Sequence, residues 1–122
     1  MTSKERCLTV IRGGRPDRIP VFPLLMFLPA DRLGVPYREY ARKGSVMAEG
    51  QILMTEMFDV DAVTGCSDAF RVSADLGAKM VYPENGTPFA EEPCVRSSAD
   101  LERLGKPDTS GRNSRMRDRA DG

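Results

Sequence analysis

Apolar residues recur at helical spacing through the middle of this chain and in unbroken runs on either side of it. Val46, Leu53, Met54, Met57 and Phe58 share a stripe with Gly50, while Glu49, Gln51 and Glu56 lie off it. That pattern predicts an amphipathic helix that Ser45 can cap and Asp59 ends. At the N-terminus, Thr2-Ser3-Lys4-Glu5 has the spacing of a capping box. The helix it opens is expected to bury Cys7, Leu8 and Ile11 and to stop at Gly13-Gly14. A further helix is predicted over 36–43, opened by Pro36 and closed near Gly44. The run 19–27 is apolar on both faces, as a covered parallel strand is. Pro20 and Pro23 confine its regular pairing to the later half or to an edge. Residues 62–66 predict a second strand, ending in the small-residue turn that carries Ser67 and Asp68.

Beyond Asp68, a short helix is expected over 69–76, closed by Gly77, then a strand over 79–83. Asn85-Gly86 favours a type I′ turn that folds 87–90 back as a hairpin arm. Ser97 or Ser98 caps a last helix, 99–104. From there the character changes. Residues 109–122 hold one large apolar residue, Met116, and are expected to form a polar, disordered tail to a domain spanning 1–108.

Composition narrows the function classes. At 122 residues the chain allows one ordinary domain. Its 18 basic and 18 acidic residues cancel, so neither nucleic acid nor an acidic membrane surface is the expected partner. The tail arginines are interspersed with Asp118 and Asp121 and lack aromatics, which reads as a solvated segment. No apolar run approaches the ~20 residues a bilayer requires, and the N-terminus lacks a signal-peptide core, so a cytoplasmic protein is expected. Cys7, Cys66 and Cys94 are widely spaced, and histidine is absent, so no metal site is expected from this chain.

Asp68 is the first candidate for chemistry, because α/β enzymes present their working groups at the C-terminal ends of strands. The competing reading makes it the cap of the helix beginning at Ala69. Several motifs occur around it in a suggestive order. They are Ser3-Lys4-Glu5-Arg6, Arg15-Pro16-Asp17-Arg18-Ile19-Pro20-Val21, Tyr37-Arg38-Glu39-Tyr40, Phe58-Asp59-Val60-Asp61-Ala62, Ser67-Asp68 and Leu76-Gly77-Ala78. Together they resemble the uroporphyrinogen decarboxylase family over residues 3–108, a superfamily that includes methyltransferases acting on methylcobalamin and coenzyme M.

The resemblance implies an α/β fold, a (β/α)₈ barrel of the TIM type, which typically needs ~250 residues. This chain would be its incomplete N-terminal fragment, from a truncated or frameshifted reading frame or by design, with apolar faces left uncovered. At family level it implies decarboxylation of a tetrapyrrole in porphyrin biosynthesis, with Asp68 accepting pyrrole N–H groups and stabilising developing positive charge, and with no cofactor. The decarboxylase branch also carries an arginine-rich segment after its first strand. Here 24–32 is apolar up to Asp31, and Arg32 is the one nearby candidate to bind substrate carboxylates; as a bland alternative it is a solvated loop residue. That departure raises methyl transfer, which in the family uses zinc and a corrinoid held by later parts of the barrel. Tyr37, Cys66 and Ser67 complete the candidate ligand contacts, though Cys66 also suits a small core residue and Tyr37, with Tyr40, suits rim packing. Met47, Met54 and Met57 are expected to pack the core. For the isolated chain, the expectation is inactivity, or assembly with a complementary chain or a second copy.

Overall fold

The computed structural model describes residues 1–107 and 114–117. The elements follow in the order α1 (Ser3–Ile11), α2 (Phe27–Leu33), α3 (Tyr37–Arg42), α4 (Gly44–Phe58), α5 (Arg71–Asp75), β1 (Met80–Val81), β2 (Phe89–Ala90) and α6 (Ser98–Arg103), the two strands forming one sheet. The capping box forms as expected: Thr2 Oγ1 accepts from the Glu5 amide at 3.2 Å, and the Glu5 carboxylate accepts from the Thr2 amide at 2.8 Å. The buried face of α1 is not the expected one. Arg6 is its buried residue, Cys7 and Leu8 are half-buried, and Ile11 is 78% exposed.

Helices α2, α3 and α4 pack together around Ala30, Tyr37, Tyr40, Ala41 and Met47. On α4 the buried stripe runs Met47, Gly50, Gln51 and Met54, rotated from the expected one. Met57 and Phe58 are exposed, so the methionine stripe packs the core only at Met47 and Met54. Gln51 is drawn inward by hydrogen bonds from its Nε2 to the Tyr40 hydroxyl at 2.6 Å and the Leu25 carbonyl at 2.8 Å. Its Oε1 is buried with no hydrogen-bond partner among the described residues. The helix starts one residue before Ser45, after Lys43, without a side-chain cap. It ends at Asp59, which adopts the left-handed conformation with φ 49°.

Gly50 marks the closest approach of α2 and α4. A Cβ there would lie 2.9 Å from Pro29 Cβ, 3.1 Å from Tyr40 Cε2 and 3.3 Å from Leu33 Cδ1. Gly50→Val is therefore expected to cost about 1–3 kcal/mol through overpacking, despite its gain in helix propensity over glycine. Urea unfolding checks this, and an unchanged midpoint would show that the crossing can spread.

The two expected strands depart from the sequence reading. Residues 21–25 and 62–66 lie outside any strand, and α2 begins at Phe27, the last residue of the expected first strand. The segments meet at one point: the amides of Asp61 and Ala62 donate to the Val21 carbonyl at 2.9 and 3.4 Å. Pro20 and Pro23 have no amide to donate, and no further ladder partner extends the pairing among the described residues. The hairpin arm does form, with Met80 opposite Ala90 and Val81 opposite Phe89, antiparallel. Its connection spans residues 82–88, and neither Asn85 nor Gly86 has the positive φ of a type I′ turn. Helix α6 is capped by Ser97, whose side chain accepts from the Asp100 amide at 3.2 Å.

Of the segment expected to be disordered, 109–113 and 118–122 lie outside the described residues. After Ser114, residues 115–117 form a helical turn seated on α5: Asp75 accepts from the Ser114 hydroxyl at 2.8 Å and from the amides of Arg115 and Met116 at 2.9 and 3.3 Å. No helix among the described residues is long and apolar enough to cross a membrane.

Candidate functional site

Asp68 follows the irregular segment 60–66, and its side chain is 1% exposed. The approach is fixed by Ser67, which is wholly buried. The Ser67 carbonyl accepts from the Tyr37 hydroxyl, and its own hydroxyl donates to Asp68 Oδ2 at 2.7 Å. Tyr37 is in turn stacked between Phe27 and Tyr40, with ring centroids 4.2 and 5.5 Å away. The aromatic core therefore sets the height at which Ser67 and Asp68 sit. Both tyrosines are core residues, not rim residues. Burial raises the Tyr37 hydroxyl well above its ordinary value, so it remains a neutral donor.

Asp68 also accepts from the Phe70 amide at 2.9 Å. Helix α5 begins one residue later, after Phe70, so Asp68 shapes the turn into the helix without being its cap residue. The remaining acceptor capacity is filled by Arg115, whose Nη1 and Nη2 donate at 3.1 and 2.7 Å. Burial opposes ionisation here, but the bonds from Arg115, Ser67 and the Phe70 amide outweigh it and hold the carboxyl below its ordinary range. Asp68 is thus a carboxylate that accepts N–H donors.

Arg71 braces the site from behind. It is 4% exposed, and its guanidinium donates to Ser67 Oγ at 3.0 Å, the Ala41 carbonyl at 3.2 Å and the Arg115 carbonyl at 2.6 Å. Cys66 is half-buried with its sulfur 3.9 Å from the Asp68 carbonyl oxygen. Arg32 is exposed on α2, a helix and not a loop, and no ion pair links it to Asp68 among the described residues. Tyr37, Ser67, Cys66 and Asp68 are therefore brought together and Arg32 is not. Arg71 and Arg115 were missed. A single arginine on a short helix, and another in a polar tail, carry no sequence signal that distinguishes them from solvated residues.

A second charged cluster also went unread as such. The Asp61 side chain is fully buried and accepts from Arg6, from Arg18 Nη1 at 2.5 Å and from the Val21 amide at 2.8 Å. Arg6 extends the network to Asp17, through Nε at 2.7 Å and Nη2 at 2.8 Å. This cluster fastens α1 and the 15–18 turn to the segment that leads to Asp68. Among the described residues, no group of three or more histidine, cysteine or acidic side chains is arranged to hold a metal ion.

The chain is mainly helical with one small sheet, and its buried Asp68 carboxylate sits against an aromatic helical layer. A family model for uroporphyrinogen decarboxylase (URO-D) matches residues 2–118, and the chain belongs to the uroporphyrinogen decarboxylase family. Among solved structures it is similar to a methyltransferase from Methanosarcina mazei, with a TM-score of 0.81 and 19% identity. The match covers 97% of this chain and 36% of that one, so the chain spans about a third of its neighbour's length. At this identity the likeness concerns the fold. No curated protein matches the chain.

Proposed function

We propose that this chain is the N-terminal portion of a (β/α)₈ barrel that acts on a tetrapyrrole or corrinoid-type ligand, with Asp68 as the residue that accepts the ligand's N–H groups. The observation that carries this reading is the ionised, buried Asp68 carboxylate on which N–H donors converge from several directions. Ionised carboxylates accept several such bonds at once and stabilise positive charge nearby. The barrel reading is supported by the 36% coverage of the methyltransferase and by the apolar residues left open along one approach, Ile19, Phe22 and Leu24, which are 84, 62 and 65% exposed. Completing strands would cover them.

Methyl transfer is the chemistry favoured over decarboxylation. Residues 24–28 are apolar and lead into α2, so the carboxylate-gripping arginines of the decarboxylase branch have no counterpart there. The structural neighbour bears the name methyltransferase, which agrees. In either chemistry this chain supplies the Asp68 side of the site, and turnover requires the rest of the barrel.

Binding of uroporphyrin, followed by the anisotropy of porphyrin fluorescence, tests the role of Asp68. Asp68→Ala is expected to weaken binding about tenfold or more, the effect of losing a charged acceptor. Equal affinity for the two proteins would remove Asp68 from the ligand site. Methyl transfer and decarboxylation separate in the downstream coding sequence, where a histidine-x-cysteine motif on a later strand favours the first.

A further inference from the structure

The guanidinium of Arg115 lies in a cage built from separate parts of the chain. Asp68 takes two of its N–H groups side by side, at 3.1 and 2.7 Å. The Ala41 carbonyl takes another from Nη2 at 3.2 Å, and the Tyr82 ring centroid lies 5.2 Å from the guanidinium carbon. The two ionic side chains are 11% and 1% exposed, so the pair is largely withdrawn from water. The backbone that delivers Arg115 is anchored independently, by Asp75 on the turn amides and by Arg71 on the Arg115 carbonyl.

We infer that this cage is a binding site for a planar N–H cation, a guanidinium or amidinium group, and that Arg115 is its built-in occupant, so that any ligand using Asp68 competes with the 114–117 turn. The acceptors fit a planar fork and not a compact ammonium. A carboxylate receives parallel N–H bonds in the guanidinium plane, and an aromatic ring adds a cation–π contact. The inference stands on the cage alone and does not need the tetrapyrrole reading.

The test is a titration of the full chain with ethylguanidinium, with ethylammonium as control, read from the ¹⁵N amide signal of Phe70, which donates to Asp68 Oδ1. In Arg115→Ala the empty cage is expected to give a saturable shift, at a midpoint about tenfold or more below that of the wild type, because self-occupancy lowers the competent fraction. The shift should be absent with ethylammonium and absent in Arg115→Ala/Asp68→Asn. Identical titrations of wild type and Arg115→Ala, or equal responses to the two cations, would overturn the inference. Arg115→Gln keeps the stem without the charge, and reads the same titration if the alanine variant loses its dispersed spectrum. Loss of folding in both variants would make Arg115 a structural strap and overturn the inference as well.

Discussion

Asp61→Ala is expected to abolish the cooperative thermal transition of this chain, followed by far-ultraviolet circular dichroism. The Asp61 carboxylate is fully buried, and three segments converge on it: Arg6 from α1, Arg18 from the charged turn, and the Val21 amide. Removing it leaves Arg6 buried with only half-exposed Asp17 as its acidic partner, and leaves the Val21 amide without its acceptor. Truncating one side of a buried ion pair is far more damaging than never having had the pair, because the remaining charge stays out of water uncompensated. Asp61→Asn is expected to fall between the two proteins, since its amide oxygen can still accept from Val21 but carries no charge for two arginines. Asp31→Ala, at an exposed position on α2, is the control and should melt like the wild type. An Asp61→Ala transition within a few degrees of the wild type would show that the cluster decorates the fold and does not hold it.

That cluster also shows where sequence patterns stop being informative. Elements with local causes were legible. The Thr2–Glu5 box fixed the start of α1, Asp59 closed α4, and the hairpin formed because two apolar arms could meet. Helix α2 was not legible, because its seven residues, with Pro29 near the start and Asp31 and Arg32 near the end, are too short to show a helical period. The stripe on α4 was read one position off for another reason. Gln51 counts as polar, yet its amide faces the core to meet Tyr40 and Leu25. Periodicity assigns faces by hydropathy, whereas burial follows hydrogen-bond partners that only tertiary structure provides. The same holds for the site. Ser67 and Asp68 drew attention through a small-residue turn and a family motif, although the strand expected before them did not form. Arg115 is 47 residues from Asp68, and their pairing depends on Asp75 holding the turn.

Acid sensitivity is the second large effect expected of this architecture, and it follows from carboxylates paired with arginines. Asp17 is held below the ordinary carboxylate range by its hydrogen bonds with Arg6, and Asp61 by the Val21 amide, with Arg18 and Arg6 adding to it. Burial opposes ionisation of Asp68, but its bonds from Arg115, Ser67 and Phe70 prevail and lower it as well. Each group binds its proton more weakly in the folded chain than in the unfolded one. The unfolded state therefore takes up protons first as pH falls, and stability declines with it. Full stability is expected above the ordinary aspartate value of about 4, with a progressive loss below it as pH drops toward the folded values. The urea midpoint measured from neutral pH into this range checks the sign. Asp68→Asn should flatten part of the decline, because it removes one of the linked protons. Added salt should reduce the share carried by Asp17, whose side chain is 42% exposed, and leave that of fully buried Asp61 nearly intact. A midpoint that is level or rising as the pH falls below about 4 would mean that these carboxylates are not the charged partners of their arginines in the folded chain.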